Sequence, residues 1–522
     1  MRSARASSAA IVLCLFQSLA GLLFGWENSS TSGLYINQYY QRRFGKCVDA
    51  GCTAYALPTI RQSTIAGCFS IGAFVGALSS GYVSSHIGLR RTCLIYILLF
   101  MIGIAIECSS FSTYAQVCVG RAIAGLGVGC TSGLVPVFQA EASPPAVRGL
   151  ITGSFQLCVT LGIFLVNCMT YGTSKRHGDW TWRFPIGIQL IWAALLFVGF
   201  ALCPESPRFL AGKNRWEESK QNLARMRHLP IDDQAIAIEM EDIRLAKEED
   251  DKRGDASYLE CFSMKNMILF RTAVGIFIQI GQQVSGINFF FNYGTIFAGY
   301  AGIDNPYVFT IILSAVNVVM SFPGILLLDR VGRRPNLLFG CAVMFAGQIC
   351  TGAVSTALPD SKEGGKALIF LCCLFVAGFA STIGPVAWVV AAEVFPTRLA
   401  AKCVTLATAA NWGMNTVIAF VAPIVQASIG TKITFVWAGF IAATAVFVFF
   451  CVPETAGLSI EEIDALFISR TPAWRSRHFR ASQKDVEEAN AEKRTRNMEH
   501  HEKVANTGNG GMAPHSPSSS EA

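Results

Sequence analysis

Charge is what this chain has least of. Charged residues make up 15% of its 522 positions, against about 25% in soluble domains. The shortage is uneven. Residues 204–266 hold 25 charged side chains in 63 positions, and residues 470–522 hold 16 in 53. The rest is nearly uncharged, which excludes an ordinary soluble enzyme and excludes disorder over most of the length. The net charge of +7 is too dilute, and its Lys and Arg too scattered, for a nucleic-acid surface. Metal-ligand clusters, nucleotide loops and nucleophile constellations are missing too, so nothing points to an enzyme, a metal or a cofactor. Most of the 18 cysteines, Cys68, Cys118, Cys341 and Cys372 among them, sit in apolar runs as small hydrophobes. Cys47 and Cys52 differ. They lie together in a polar loop, where a disulfide and two free thiols are equally open.

What is present is a series of apolar runs, each near the roughly 20 residues that a helix needs to span a bilayer. Twelve are expected, near 11–33, 62–82, 92–112, 116–139, 149–171, 183–203, 270–299, 306–328, 335–357, 367–391, 400–428 and 433–452. The fold class is therefore an all-α membrane protein of twelve transmembrane helices. Six precede the charged stretch and six follow it. The expected domains are a six-helix bundle over 1–203, a cytoplasmic helical linker over 204–266, a second bundle over 267–467 and a disordered tail over 468–522. In the linker, Ile236, Met240, Ile243 and Ala246 recur at helical spacing. Arg90, Arg91, Arg148, Arg333, Arg334, Arg398 and Lys402 all fall on the side of the termini, which the positive-inside rule makes cytoplasmic. Arg42, Arg43 and Lys46 oppose this from the first outer loop.

The two halves echo each other. Gly81-x-x-x-Ser85-His86-Ile87-Gly88-Leu89-Arg90-Arg91 follows run two, and Asp329-Arg330-Val331-Gly332-Arg333-Arg334 follows run eight. Glu141 with Arg148 follows run four, and Glu393 with Arg398 follows run ten. Pro204-Glu205-Ser206 follows run six, and Pro453-Glu454-Thr455 follows run twelve. Repeated halves with a substrate held at their interface are a common plan for secondary transporters.

These motifs, with Arg121-x-x-x-Gly125-x-Gly127-x-Gly129, Val135-Pro136-Val137-Phe138, Trp182-Arg183-Phe184-Pro185 and Gln282-Gln283-Val284-Ser285-Gly286-Ile287-Asn288, resemble the sugar porters of the major facilitator superfamily. The likeness covers roughly residues 15–467, and fungal members resemble it most in linker and tail length. It implies two pseudo-symmetric six-helix bundles and a multi-pass protein of the plasma membrane, working as a monomer by alternating access. It also implies sugar contact at the positions matching Gln156, Gln282, Gln283, Asn288, Asn317, Trp388, Asn411 and Trp412. Physically this is apt. A neutral sugar needs amides that both donate and accept, and an aromatic face for its C–H side. The competing use of such amides is hydrogen bonding between helices. The Ser285-Gly286 pair offers a place where segment seven can bend and bring Gln283 and Asn288 to one cavity. Asn292-Tyr293 departs from the family's tyrosine pair.

Gly21-Leu22-Leu23-Phe24-Gly25-Trp26-Glu27 is similar to the family's first-helix motif, whose proton-coupled members carry Asp at the position of Glu27. An acid inside a span is a functional candidate in its own right, and Arg121 is its expected partner. A pair that opens and closes would release and rebind a proton; the alternative is a permanent structural bridge. Asn28-Ser29-Ser30 fits a glycosylation sequon, but its place inside a span makes the match fortuitous.

In family members, charged residues at the inner helix ends form a cytoplasmic gate. The matching positions are Arg90, Arg91, Glu141, Arg148, Glu205, Asp329, Arg333, Arg334, Glu393 and Glu454. Their plainer role is to set topology. Ser85, Leu89, Ala400 and Cys403 depart from the family's Asp, Arg or Lys, Arg and Gly. Each lost charge is expected to weaken the closed inner gate and favour the inward-open state.

The expected function is secondary transport of a monosaccharide such as glucose, coupled to protons through Glu27 and Arg121. The alternatives are a facilitative hexose uniporter, a carrier of pentoses, polyols or sugar acids, and a transporter-like sugar sensor.

Overall fold

The computed structural model describes residues 16–49, 51, 54–111, 113–142, 148–227, 229–253, 257–358, 362–395, 397–458 and 460–479. Nearly all of them are helical. The first half holds α1 (Leu19–Tyr35), α2 (Thr59–Ile87), α3 (Leu89–Cys108), α4 (Tyr114–Ala142), α5 (Arg148–Ser174) and α6 (Trp180–Leu202). The second holds α7, broken into α7a (Ile268–Val284) and α7b (Ile287–Tyr300), then α8 (Pro306–Val331) and α9 (Arg333–Ala357). After them come α10a (Lys362–Ser381), α10b (Ile383–Glu393), α11 (Thr397–Ile429) and α12 (Ile433–Cys451). Among the described residues, 10 stretches are long and apolar enough to cross a bilayer. One of these, Lys402–Cys451, runs through both α11 and α12, and α1 with 17 described residues completes twelve.

Side chains turned outward explain why the bundle suits lipid. Ile71, Val75 and Leu78 on α2, Ile95, Leu98 and Ile102 on α3, and Ile191, Leu195 and Val198 on α6 are exposed at helical spacing. Water would not tolerate such a belt; hydrocarbon does. The opposite holds for α1, where every residue from Ala20 to Tyr35 is buried, including the polar run Glu27 to Ser32. Protein must enclose a helix of that composition inside a membrane.

Within the first half α2 packs on α4, α3 on α4, and α1 on α5; within the second α9 packs on α10a and α12. Across the halves α2 meets α11, α5 meets α8, and α1 meets α7b. Small residues allow the closest approaches. A Cβ at Gly72 would stand 2.0 Å from the carbonyl oxygen of Ala122, and one at Gly125 2.2 Å from that of Phe69.

Between the halves, helices Pro207–Gly212, Trp216–Arg227 and Gln234–Arg253 form a small cap. Ala211, Leu223, Ala224, Ile236 and Ile243 make its core, with Trp216 and Met240 against it. The side chain of Ala246 lies outside the described residues. At the far end of the molecule, Lys46–Cys47 pairs antiparallel with Tyr55–Ala56. Cys47 is disulfide-bonded there, while Cys52 lies outside the described residues.

The end of the chain departs from expectation. Residues 468–479 are folded: a 3-10 turn over Ala473–His478 follows the helix Ile460–Ile468. The hydroxyl of Ser476 accepts the Glu454 amide at 2.7 Å, and the ring of Trp474 meets Phe450 at 6.0 Å. A local cap and an aromatic contact thus order a segment whose polar composition reads as tail. Residues 480–522 lie outside the described residues.

Candidate functional site

The middle of α7 is where the two halves meet around a cavity. Gly286 takes φ 89°, a conformation that favours glycine, and a Cβ there would also strike the Trp437 ring at 2.6 Å. The break ends α7a and restarts the chain as α7b, turning Gln282, Gln283 and Asn288 to one side. All three line the cavity, with Gln156 from α5, Asn317 from α8, Trp388 from α10b and Asn411 from α11. Seven of the eight expected sugar positions are therefore together. The eighth, Trp412, is fully buried behind the wall, its ring 4.9 Å from that of Phe24 and its Nε1 donating to Ser132 at 3.0 Å. In this state it buttresses the cavity rather than lining it.

Amides of the second half are wired to each other. Asn411 Nδ2 donates to Gln279 Oε1 at 2.7 Å and to Gln282 Oε1 at 2.9 Å, while its Oδ1 accepts from Gln283 Nε2 at 2.5 Å. Asn288 Nδ2 donates in turn to Gln283 Oε1, and Gln282 Nε2 donates to the Gly384 carbonyl at 2.8 Å. Asn317 Oδ1 has no hydrogen-bond partner although it is buried. An unsatisfied acceptor beside a chain of amides is prepared to take a hydroxyl. Gln279 belongs to this network and escaped the sequence reading, as did Asn28. The latter is 3% exposed and lines the cavity, so the sequon match there is indeed fortuitous.

The cavity measures about 40 Å³, while small-molecule sites run ~300–1,000 Å³. It is contracted in this conformation. At the end away from the linker, α1 and α7b close over it. Ser29 Oγ donates to the Phe291 carbonyl at 3.2 Å, Thr295 Oγ1 to the Ser32 carbonyl at 2.5 Å, and Tyr35 stacks on Tyr293 at 5.8 Å.

Behind the cavity lies a cluster of charge with no access to solvent. Glu27 Oε1 is 3.0 Å from Arg121 Nη1, and Glu27 Oε2 accepts from Gln189 Nε2 at 2.7 Å. Arg121 also donates through Nε to the Ile65 carbonyl at 3.1 Å and through Nη2 to the Glu27 carbonyl at 3.2 Å. The expected pair is present, and a third member joins it. Glu107, in the last turn of α3, is buried, with its Oε1 3.6 Å from Arg121 Nη1. The sequence signal was there: Glu107 is a lone acid inside an apolar run, as Glu27 is.

At the linker end, Glu205 and Glu454 do something simpler than expected of gate acids. Glu205 Oε1 accepts the Arg90 amide at 3.0 Å, and Glu454 Oε1 and Oε2 accept the Arg333 and Arg334 amides at 2.8 and 3.1 Å. Each carboxylate caps the start of a helix, where free N–H groups and the dipole favour an anion. The guanidinium of Arg90 binds the carbonyls of Phe200 and Ala201, that of Arg334 binds the Phe449 carbonyl, and Arg91 is exposed. One gate ion pair is formed by described side chains: Arg333 Nη2 to Glu393 Oε1 at 2.8 Å, with Thr455 donating to Glu393 Oε2 at 2.6 Å. The side chains of Glu141, Arg148, Asp329 and Arg398 lie outside the described residues.

Comparison with known proteins agrees with this architecture. A family model described as sugar (and other) transporter matches residues 13–467. The hexose transporter HXT10 of Saccharomyces cerevisiae is 35% identical over 473 residues, 89% of this chain and 86% of its own. The high-affinity fructose transporter ght6 of Schizosaccharomyces pombe is 34% identical over 519 residues, 98% of this chain and 96% of its own. The xylose transporter XylE from E. coli, solved in a partially occluded inward-open conformation, matches in fold with a TM-score of 0.70 at 24% identity. It covers 87% of this chain and 100% of that one. The chain is a multi-pass membrane protein of the major facilitator fold and belongs to the sugar (and other) transporter family, as a sugar porter of fungal type.

Proposed function

We propose that the protein carries a hexose across the plasma membrane by alternating access, in symport with a proton, with both termini on the cytoplasmic side. One observation carries this reading. Adjacent residues of α1 face two different sites: Glu27 is ion-paired to Arg121, and Asn28 lines the amide cavity. A shift of α1 would move both at once, so sugar binding and proton binding share one mechanical element. The cavity wall holds amides and aromatic rings and, among the described residues, no Lys or Arg, which favours a neutral polyhydroxyl over a sugar acid. The named substrates of the relatives, hexoses and fructose, fit the same chemistry. Arginines in the short loops on the linker side support a cytoplasmic placement of that face.

In the cycle, sugar binds from outside to Gln282, Gln283, Asn288, Asn317 and Asn411, with Trp388 supplying an aromatic face and Gln156 and Asn28 contacts from the first half. Contacts such as Ser29–Phe291 and Thr295–Ser32 then seal the outer end, and inner contacts around Arg333 and Glu393 open. The test is uptake of labelled glucose and fructose into sealed vesicles, with and without an inward proton gradient. Accumulation above equilibrium in wild type and its loss in Glu27→Gln are expected. Equilibration that ignores the gradient would make the protein a uniporter, with Glu27–Arg121 a structural bridge.

A further inference from the structure

Arg121 is one base among two buried acids. Its Nη1 is 3.0 Å from Glu27 and 3.6 Å from Glu107, and the three side chains are at most 1% exposed. Its Nη1 also reaches Ser30 Oγ at 3.5 Å, and its Nε and Nη2 donate to the carbonyls of Ile65 and Glu27. Neither carboxyl oxygen of Glu107 receives a hydrogen bond. The Glu27 and Glu107 carboxyls meet at one nitrogen, each presenting its Oε1 to Arg121 Nη1. The remaining ionisable neighbours add no positive charge: Tyr35 from α1, Tyr40 from helix Gln38–Phe44, Cys68 from α2, Cys108 beside Glu107 on α3 and Cys118 from α4. Arg183 of α6 spends its Nη2 on the Ser110 carbonyl at 3.1 Å and on Asp179 at 3.9 Å. Two carboxylates against one guanidinium would leave a net negative charge sealed from water, which is costly. Glu107 also sits at the carbonyl end of α3, where the helix dipole opposes an anion.

We infer that Glu107 and Glu27 together hold one exchangeable proton around Arg121, making Glu107 a positioning partner of the coupling site. This rests on the proton-coupled reading above and deepens it. The step is a proton transfer only: water on one side of the membrane gives a proton to one carboxylate oxygen of the pair. Water on the other side receives it when α1 shifts, and no other bond changes. Removing either acid leaves one carboxylate with one guanidinium, a neutral pair with no need of a proton.

The experiment compares wild type, Glu107→Gln, Glu107→Asp and Glu27→Gln, purified and in vesicles. Infrared difference spectra between acid and alkaline buffer read the carbonyl stretch of a protonated carboxylic acid. Vesicle assays read accumulation under a proton gradient and gradient-free counterflow of labelled glucose. The expected result is loss of the acid carbonyl band in both Gln variants. In Glu107→Gln accumulation is lost while counterflow falls by less, and Glu107→Asp recovers part of the accumulation. Retention of the band and of accumulation in Glu107→Gln overturns the inference. If Glu107→Gln does not fold, Glu27→Gln must still lose the band; a band that survives there is equally fatal. Wild type that never accumulates sugar sinks the coupled reading, while the band still decides whether the pair holds a proton.

Discussion

Gly88 and Gly332 turn the chain at the same place in the two halves, with φ of 97° and 99°. Glu205 and Glu454 accept the first amides of α3 and α9. Arg90 and Arg334 reach back to the carbonyls of Phe200 and Phe449, at 3.0 and 2.9 Å. One residue earlier, directly after the glycine, the match ends. Arg333 is paired with Glu393, while its counterpart is Leu89, buried and apolar. Deeper in the membrane the contrast runs the other way. The first half buries Glu27, Glu107 and Arg121 together; the second buries Gln279, Gln282, Gln283 and Asn411. Backbone geometry, set by a glycine and a capping carboxylate, is common to both halves. Side-chain chemistry is free to differ, so charge and hydrogen bonding can be assigned to separate halves.

The sharpest way to break this contrast is to remove the base of the charged half. Arg121→Gln strands two acids in a site that water does not reach. Breaking a buried ion pair from one side costs about 3–5 kcal/mol, so the variant is expected to lose most of its folded fraction. Thermal melting and monodisperse yield after purification measure this. A stable Arg121→Gln would mean that both acids take up protons once the base is gone, so that no charge is stranded.

Next comes the hub of the amide half. Asn411→Ala removes the partner of Gln279, Gln282 and Gln283 at once, leaving buried amide groups unmatched at about 1–3 kcal/mol. Sugar affinity should fall on the order of tenfold or more, read as KM for uptake or by binding calorimetry. The dependence on the proton gradient should persist, because the charged cluster is untouched. A loss of coupling with unchanged affinity would dissolve the division of labour between halves.

Much of this was legible in the sequence for definite reasons. Apolar runs fix the helices, because only a helix satisfies its own backbone in lipid. Paired Pro-Glu motifs and Arg doublets revealed the repeat because the capped turns they build are backbone features. Gln282 to Asn411 could be assembled from family register and the Ser285-Gly286 break. Besides Gln279, three things stayed hidden. Glu107 was absorbed into an apolar run, although the reasoning that singled out Glu27 applies equally to it. Asn28 looked like a sequon because sequence does not say which face of α1 meets a cavity. Glu205 and Glu454 looked like partners for arginine side chains, since a carboxylate bound to a backbone amide and one bound to guanidinium leave the same charge pattern.

The smallest effect comes from making the two linker-side ends alike. Leu89→Arg places a guanidinium where Arg333 stands in the other half, one residue after the same glycine turn. The expected partner is Glu141, which follows α4 in sequence as Glu393 follows α10b. A pair as enclosed as Arg333–Glu393, 9% and 27% exposed, contributes a net of roughly 0.5–1 kcal/mol after desolvation. By linkage that gain belongs only to the state in which the pair is formed. If closure of the inner end forms it, the populations shift about two- to fivefold toward outward-open. Cysteine accessibility from the linker side should then fall by that factor, and salt should erase the change. Unchanged accessibility would mean that Leu89 packs for stability alone and that the second half, through Arg333 and Glu393, controls the inner end by itself.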